Sequence, residues 1–84
     1  MTKYTLYYTP ACPFCARVIH EVEDFDIKID KINTDTDSAG KSKLFSSTGM
    51  HQVPCLEVTS NIDSQWIFES KDIVDYLGTV LEIS

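Results

Sequence analysis

The sequence predicts an α/β fold with the element order β-α-β-α-β-β-α, in which a four-stranded mixed sheet is flanked by helices. The chain has 84 residues, of which 43% are hydrophobic. This is a normal composition for one globular domain, which we assign to residues 1–84. The first half has a strand pattern, a helix pattern and a second strand pattern, which predicts a βαβ unit with two parallel strands. The second half ends in two strand patterns and a helix pattern, which predicts a hairpin covered by a helix.

The first half begins with a predicted strand at Lys3–Tyr8, where aromatic residues and threonine are frequent. Further along, apolar residues recur at helical spacing and predict a helix over residues 13–24. These apolar positions are Phe14, Val18, Ile19, Val22 and Phe25. Next come Ile27, Ile29 and Ile32, which are separated mostly by charged residues. They predict the second strand.

The second half contains a predicted short helix at 41–47, a weak pattern because it follows a glycine and is rich in serine. A third strand is predicted at 53–59, starting at a proline, where one is tolerated. A fourth strand is predicted at 65–68, antiparallel to the third. Ser70 is expected to cap the final helix. The apolar positions of that helix have a period of 3.6 residues: Ile73, Val74, Leu77, Val80 and Leu81.

The charge balance excludes two classes of partner. Seven lysines and arginines against 13 aspartates and glutamates give a formal net charge of −6 at pH 7, which does not attract nucleic acid or anionic lipid surfaces. The N-terminal residues lack the apolar core and cleavage site of a signal peptide. Three cysteines, an odd number, argue against an extracellular disulfide framework. We therefore expect a cytoplasmic protein that binds neither nucleic acid nor membranes.

The pair Cys12 and Cys15 is the strongest functional signal. Between them, Pro13 suits the first position of a helix because its missing N–H needs no partner there. Cys12 then precedes the first turn, where free backbone N–H groups and the positive end of the helix dipole favour its thiolate. The thiolate is the nucleophile of disulfide exchange. Cys15 lies on the same helical face, within disulfide reach, so it can attack a mixed disulfide formed by Cys12.

Two other roles compete with redox chemistry for this pair. A structural disulfide between the two cysteines would close too short a loop to remove much entropy from the unfolded chain. A zinc site would add His51 and Cys55, whose spacing suits metal ligands. Zinc-binding cysteines, however, usually lie on turns rather than at a strand–proline–helix junction, so the βαβ context favours redox chemistry. Cys55 itself is either a small core residue or, if it faces the pair, a third redox-active thiol.

These features resemble the glutaredoxin family, which has the thioredoxin-like fold. The matching parts are the Cys-Pro-Phe-Cys motif at 12–15, the Val53-Pro54 pair that opens the third strand, and the polar junction before the last helix. The segments 52–57 and 69–77 are also similar to the N-terminal domain of glutathione S-transferases. This second similarity supports a shared glutathione site rather than the transferase reaction.

The resemblance implies where glutathione binds. It implies a cis peptide bond between Val53 and Pro54, with the backbone of Val53 free to pair with glutathione like an added strand. It also implies that the γ-glutamyl carboxylate binds near Ser70, at the start of the last helix. The γ-glutamyl ammonium group then binds either Glu69 or Asp72, and the sequence leaves both open.

Three further positions bear on the same site. Phe14 is expected to form part of its wall. Thr9 stands where many glutaredoxins have a lysine that binds the glycyl carboxylate, and Gln52 stands where many have threonine. These two departures concern the affinity for glutathione more than the thiol chemistry.

The function implied by the resemblance is that of a dithiol glutaredoxin, an oxidoreductase that reduces glutathione mixed disulfides and protein disulfides. Glutathione is the cosubstrate, and no metal or organic cofactor is bound. The expected partners are glutathione and glutathionylated or disulfide-containing proteins, and the protein is expected to act as a monomer. Two alternatives stay open: a zinc or iron–sulfur binding module, and a domain that binds glutathione without catalysis.

Overall fold

The structure, a computed structural model, describes residues 2–25, 27–61 and 63–83, with the side chains of 81–83 outside the description. Seven elements follow one another along the described chain: β1 (Lys3–Tyr8), α1 (Pro13–Val22), β2 (Ile29–Asn33), α2 (Ser38–Thr48), β3 (Cys55–Thr59), β4 (Ser64–Phe68) and α3 (Ser70–Ile83). The predicted element order is therefore confirmed.

The strands form one four-stranded sheet with the order β2-β1-β3-β4. β1 pairs with β2 in parallel and with β3 in antiparallel orientation, and β3 and β4 form an antiparallel hairpin. Tyr7 in β1 lies opposite Ile32 of β2 on one side and opposite Cys55 of β3 on the other. The sheet is mixed, as the sequence predicts, because the βαβ half contributes the parallel pair and the hairpin half the antiparallel one.

The sheet separates two hydrophobic clusters. One face is covered by α1 and α3, and its cluster contains Leu6, Val18, Val22, Leu56, Val58, Ile73 and Leu77. We call it the α1/α3 face. The other face is covered by α2, and its cluster contains Tyr7, Leu44 and Cys55. We call it the α2 face. Successive strand residues alternate between the two faces, which is why the neighbours Leu6 and Tyr7 belong to different clusters.

A buried carboxylate lies on the α2 face. Glu57 in β3 is 4% exposed, and its Oε1 accepts a hydrogen bond from the Tyr7 hydroxyl at 2.9 Å. Its Oε2 accepts one from the Thr59 hydroxyl at 3.3 Å and lies 3.1 Å from Nζ of Lys43 in α2. Burial, and then the hydrogen bond to Glu57, raises the pKa of Tyr7, so the phenol keeps its proton. These three partners offset the cost of burying the carboxylate, and Lys43 connects α2 to the sheet.

Helix α2 is longer than the predicted segment 41–47. Asp37 caps its start, where the carboxylate accepts a hydrogen bond from the Gly40 N–H at 2.9 Å. Gly49 ends it in the left-handed conformation, with φ 76°. Both caps lie outside the predicted segment. The weak prediction was therefore correct about the helix but not about its ends.

Other predicted boundaries also move. α1 ends at Val22 rather than at 24. β3 begins at Cys55 rather than at 53, since Pro54 has no N–H to donate to a strand ladder. The prediction that Ser70 caps the last helix is wrong, because the helix already begins at Ser70. The preceding Glu69 occupies the cap position, and its carbonyl accepts the Ile73 N–H at 3.0 Å.

Candidate active site

Cys12 occupies the N-cap position of α1, directly after the loop that follows β1. Its backbone is extended, with φ −86° and ψ 115°, and Pro13 opens the helix. The Cys12 Sγ accepts a hydrogen bond from the backbone N–H of Cys15 at 3.2 Å. A cysteine sulfur thus takes the place of the serine or aspartate oxygen that usually caps a helix. Cys12 is partly exposed, so a substrate can reach it.

Cys15 differs from Cys12 in exposure. Its side chain is 0% exposed. Burial, and then the interaction with the Cys12 side chain, raises the pKa of Cys15 to about 12. Cys15 therefore remains a thiol at neutral pH while Cys12 faces the solvent. The two thiols of the pair thus differ, one being partly exposed and the other buried.

Val53 and Pro54 lie beside the pair and are joined by a cis peptide bond. The carbonyl oxygen of Val53 is 3.9 Å from the Cys12 Sγ, which donates to it. Val53 is half-buried and Pro54 is buried. The cis bond that the resemblance implied is therefore present, and the backbone of Val53 lies next to the Cys12 sulfur.

A cavity of about 210 Å³ extends from this point. Its lining residues come from the start of α1, the segment before β3 and the start of α3: Phe14, Gln52, Val53, Pro54, Glu69 and Ser70. Five of them are site residues that the sequence indicated. Phe14 is 61% exposed and forms part of the cavity wall. Asp72 lies in the first turn of α3 and does not line this cavity.

Glu69 has an unusual backbone. Its φ is 72°, a left-handed conformation that non-glycine residues rarely adopt. Its carboxylate accepts a hydrogen bond from the Gln52 side-chain amide at 3.3 Å. Residues held in such conformations are frequent at ligand sites. The sequence indicated Glu69 only through the family resemblance, and it gave no role to Gln52 beyond a departure from the family pattern.

The remaining residues of the zinc alternative lie elsewhere. Cys55 is fully buried on the α2 face with Tyr7, and burial, followed by the charge of Glu57, raises its pKa to about 12. His51 is exposed and its ring stacks on Phe45 with a centroid distance of 4.4 Å. Among the described residues, no group of three or more His, Cys, Asp and Glu side chains is arranged to hold a metal ion. Of the two interpretations of Cys55, the structure supports a small core residue.

No helix within the described residues is both long and apolar enough to cross a membrane.

Comparison with known proteins gave one sequence match. The sequence profile of the glutaredoxin family matches residues 4–62, which is more than half of the chain and includes both cysteines and Val53-Pro54. No relative was found among curated proteins.

Similar solved structures include larger enzymes. Maleylacetoacetate isomerase from Anaeromyxobacter dehalogenans, solved with bound glutathione, has a TM-score of 0.72 and 18% identity. The alignment covers 96% of this chain but 38% of the isomerase. A trimeric glutathione transferase from Leishmania has a TM-score of 0.71 and 27% identity, over 92% of this chain and 17% of the transferase. This chain thus spans well under half the length of either enzyme.

A smaller neighbour is the glutaredoxin of buckwheat, solved as a complex with glutathione. Its TM-score is 0.54 and its identity 22%, over 66% of this chain and 53% of the buckwheat chain. At this identity the similarity shows the shared thioredoxin-like fold.

Proposed function

The chain belongs to the glutaredoxin family, and we propose that it is a dithiol glutaredoxin that uses glutathione to reduce mixed disulfides and protein disulfides. The observation that carries the proposal is the asymmetry of the two thiols. Cys12 is partly exposed at a helix N-cap, while Cys15 is fully buried with its pKa raised to about 12. One sulfur is suited to attack and the other to resolve the product.

The reduction of a glutathione mixed disulfide uses Cys12 alone. Its thiolate attacks the glutathionyl sulfur of a mixed disulfide, a new sulfur–sulfur bond forms, and the old one breaks. The substrate leaves as a thiolate and takes a proton from water. A glutathione thiolate then attacks the glutathionyl sulfur held on Cys12, which releases glutathione disulfide and restores the Cys12 thiolate. In the net reaction the sulfur of the incoming glutathione is oxidised and the substrate sulfur is reduced, while the first glutathionyl sulfur stays in a disulfide throughout.

Protein disulfides require Cys15 as well. Attack by Cys12 leaves a mixed disulfide between the two proteins, and the Cys15 thiol must lose its proton to displace the substrate. Its backbone N–H already contacts the Cys12 Sγ at 3.2 Å, so the two residues are adjacent. The products are a reduced substrate and an intramolecular Cys12–Cys15 disulfide, which glutathione reduces in turn.

The cavity beside Cys12 supplies the contacts for glutathione. The backbone of Val53 pairs with the cysteinyl residue of glutathione and directs its sulfur to Cys12. The γ-glutamyl carboxylate binds the free N–H groups at the start of α3, beside Ser70. Glu69 binds the γ-glutamyl ammonium group. Glu69 is preferred to Asp72 because it lines the cavity and Asp72 does not.

Glutathione acts as a cosubstrate in this proposal, and the reaction needs no bound metal or organic cofactor. The substrates are glutathionylated or disulfide-containing proteins. The reaction belongs to a reducing compartment such as the cytoplasm, because a glutathione-reduced dithiol acts there as a reductant. We propose that the protein acts as a monomer, since every step above uses groups of one chain.

The test is turnover of a small glutathione mixed disulfide, with glutathione and its reductase supplied. Cys12→Ser should reduce the rate to that of the uncatalysed reaction, whereas Cys15→Ser should keep activity on this substrate and lose it on protein disulfides. Cys55→Ala is the matched control, because it removes a buried thiol outside the cavity and should keep both activities.

Other outcomes favour the alternatives. Equal loss in the Cys12 and Cys15 variants would contradict the division of roles. Glutathione binding without turnover in the folded wild type would favour a binding domain. Metal bound in stoichiometric amount to freshly purified protein, and lost in Cys12→Ser, would favour a zinc or iron–sulfur module.

A further inference from the structure

We infer that Gln52 is a positioning residue of the glutathione site, which holds the Glu69 carboxylate in place at the cavity wall by a hydrogen bond. This inference rests on the proposed function and deepens it. It requires that glutathione occupies the cavity that both residues line. Glu69 is the one ionisable side chain among the six lining residues, and the ammonium group is the one cation of glutathione, so the two attract each other.

The hydrogen bond lies just beyond the end of the β3–β4 ladder. Cys55 and Phe68 are the last residues that pair in the two strands. The ladder does not continue past them, because the next residue, Pro54, has no N–H to donate. Gln52 and Glu69 follow at the cavity, and a bond of 3.3 Å joins the amide Nε2 of one to the carboxylate Oε1 of the other. A side-chain bond thus connects the two chain segments where the backbone bonds stop.

Glu69 gains from such a partner because of its own setting. It is an exposed residue with a left-handed backbone, φ 72°, between the end of β4 and the start of α3. A glutamate side chain has three rotatable bonds, and a free one on a surface samples many conformations. A ligand that binds a free carboxylate must restrict those bonds, which lowers its affinity. Where Gln52 already holds the carboxylate, part of that restriction precedes binding.

A glutamine suits this role in two respects. Its amide is uncharged, so the Glu69 carboxylate keeps its negative charge for an ammonium group, which a lysine partner would compete with. The bond also uses only part of the acceptor capacity of the carboxylate, whose two oxygens have about four lone-pair sites. Threonine, which many glutaredoxins have at the position of Gln52, carries its hydroxyl two bonds closer to the backbone. We therefore expect a threonine there to fall short of Glu69.

Gln52 also directly precedes Val53, whose carbonyl oxygen lies 3.9 Å from the Cys12 Sγ. A change at position 52 can therefore alter the site in two ways, through Glu69 or through the backbone of Val53. The first predicts a weaker affinity for glutathione with an unchanged rate of the bound complex, since Glu69 takes no part in the sulfur exchange. The second predicts a slower exchange, since Val53 lies at the reacting sulfur. The hydrogen bond between the two side chains favours the first.

The test measures the affinity for S-methylglutathione, which has the charged groups of glutathione but no thiol, by titration calorimetry. Gln52→Met keeps the length of the side chain and removes the hydrogen bond, and it should raise Kd about fivefold, the effect of one hydrogen bond. In turnover of a glutathione mixed disulfide, the same variant should raise KM by a similar factor and leave kcat close to that of the wild type. Gln65→Met, at an exposed position of β4 outside the cavity, is the matched control and should keep Kd, KM and kcat.

A double-mutant cycle shows whether Gln52 acts through Glu69. Glu69→Ala should raise Kd by more than Gln52→Met does, because it removes the charge itself. Combined with Glu69→Ala, Gln52→Met should have little further effect.

Two results would overturn the inference and leave the proposed function standing. One is an unchanged Kd in Gln52→Met. The other is an equal effect of Gln52→Met with and without Glu69, which would mean that Gln52 acts on Val53 or on the ligand directly. If the folded wild type neither binds S-methylglutathione nor turns over the mixed disulfide, the proposed function is overturned and this inference with it.

Discussion

The two faces of the sheet are stabilised in different ways. The α1/α3 face is apolar throughout its cluster, in which Leu6 and Leu56 from the strands meet Val18 of α1 and Ile73 of α3. The α2 face has a smaller cluster and contains the buried carboxylate of Glu57. Burial of apolar side chains, worth roughly 1.5–3 kcal/mol for each, therefore stabilises one face, while the other also depends on a polar network.

The two faces also differ in what their helices contribute to the candidate site. Cys12 and Ser70 lie at the starts of α1 and α3, the two helices that the apolar face holds in place. α2 contributes no residue to the lining of the cavity. It buries only Gly40 and Leu44, with Lys43 attached to Glu57. The candidate site thus takes residues from the two helices of the apolar face, and α2 precedes the segment that leads to Val53.

Two cysteines are fully buried, Cys15 in α1 and Cys55 on the α2 face, which allows the two to be compared at alkaline pH. The pKa of Cys15 and that of Cys55 are both raised to about 12, whereas an unfolded thiol titrates at about 8.5. Between these values the folded protein binds more protons than the unfolded chain. Stability is therefore complete below about pH 8.5 and falls as the pH rises towards 12, by up to about 1.4 kcal/mol per pH unit for each thiol.

We expect Cys55→Ala and Cys15→Ala each to remove about half of the alkaline loss that the two thiols cause, in denaturant unfolding of reduced protein from about pH 8 to about pH 11. The comparison is made with wild type at each pH, so the titration of tyrosines and lysines cancels. An unchanged pH slope in Cys55→Ala would mean that water reaches the Cys55 thiol in the folded protein.

The positively charged partner of Glu57 can be removed without changing a strand residue, because Lys43 lies in α2. Lys43→Met leaves the carboxylate of Glu57 with only its two hydroxyl partners, and we expect a loss of about 1–2 kcal/mol in the free energy of unfolding. This is below the ~3–5 kcal/mol of a fully buried pair, because the Lys43 side chain is 58% exposed. Lys41→Met, on the same helix and exposed, is the control and should change stability little. Equal effects of the two variants would show that the ion pair contributes nothing.

Alanine substitution at one glycine of each face should change the stability of the protein with opposite signs. A Cβ added at Gly40 in α2 would lie 2.5 Å from Cγ2 of Ile32, a branched side chain that cannot swing away, while one at Gly78 in α3 would meet nothing within 4 Å. Gly78→Ala should therefore stabilise the protein by up to about 1 kcal/mol through helix propensity. Gly40→Ala should destabilise it, with an overpacking cost of about 1–3 kcal/mol that exceeds the same gain. Thermal unfolding of both variants measures the signs.

The sequence predicts the apolar face well. The period of apolar residues in α1 and α3 and the β-rich segment Lys3–Tyr8 depend on local patterns, so these elements were found with small errors at their ends. Cys12 and Cys15 were found for the same reason, because the position of Cys12 at the start of a helix follows from Pro13 and from the local helix pattern. The cis bond at Val53 came from the family resemblance, because local sequence does not determine it.

The α2 face was harder to predict. In the sequence alone, Glu57 looks like a strand residue that faces solvent. Its burial depends on tertiary packing, which places the hydroxyls of Tyr7 and Thr59 and the ammonium group of Lys43 around its carboxylate. The left-handed backbone of Glu69 likewise depends on the meeting of β4 and α3, and its contact with Gln52 joins residues 17 positions apart. Such pairs arise from tertiary packing, which a pattern of single residues does not contain.

The location of Trp66 has a practical consequence. It is the single tryptophan of the sequence, and its ring lies 5.5 Å from that of Tyr7 with an angle of 38° between their planes. It packs against the α2 cluster, so its fluorescence reports on that side of the sheet, whereas circular dichroism averages over all three helices. The protein thus has a built-in optical probe of its polar half. If α2 separates from the sheet before the rest unfolds, the emission of Trp66 will change while most of the helical signal remains.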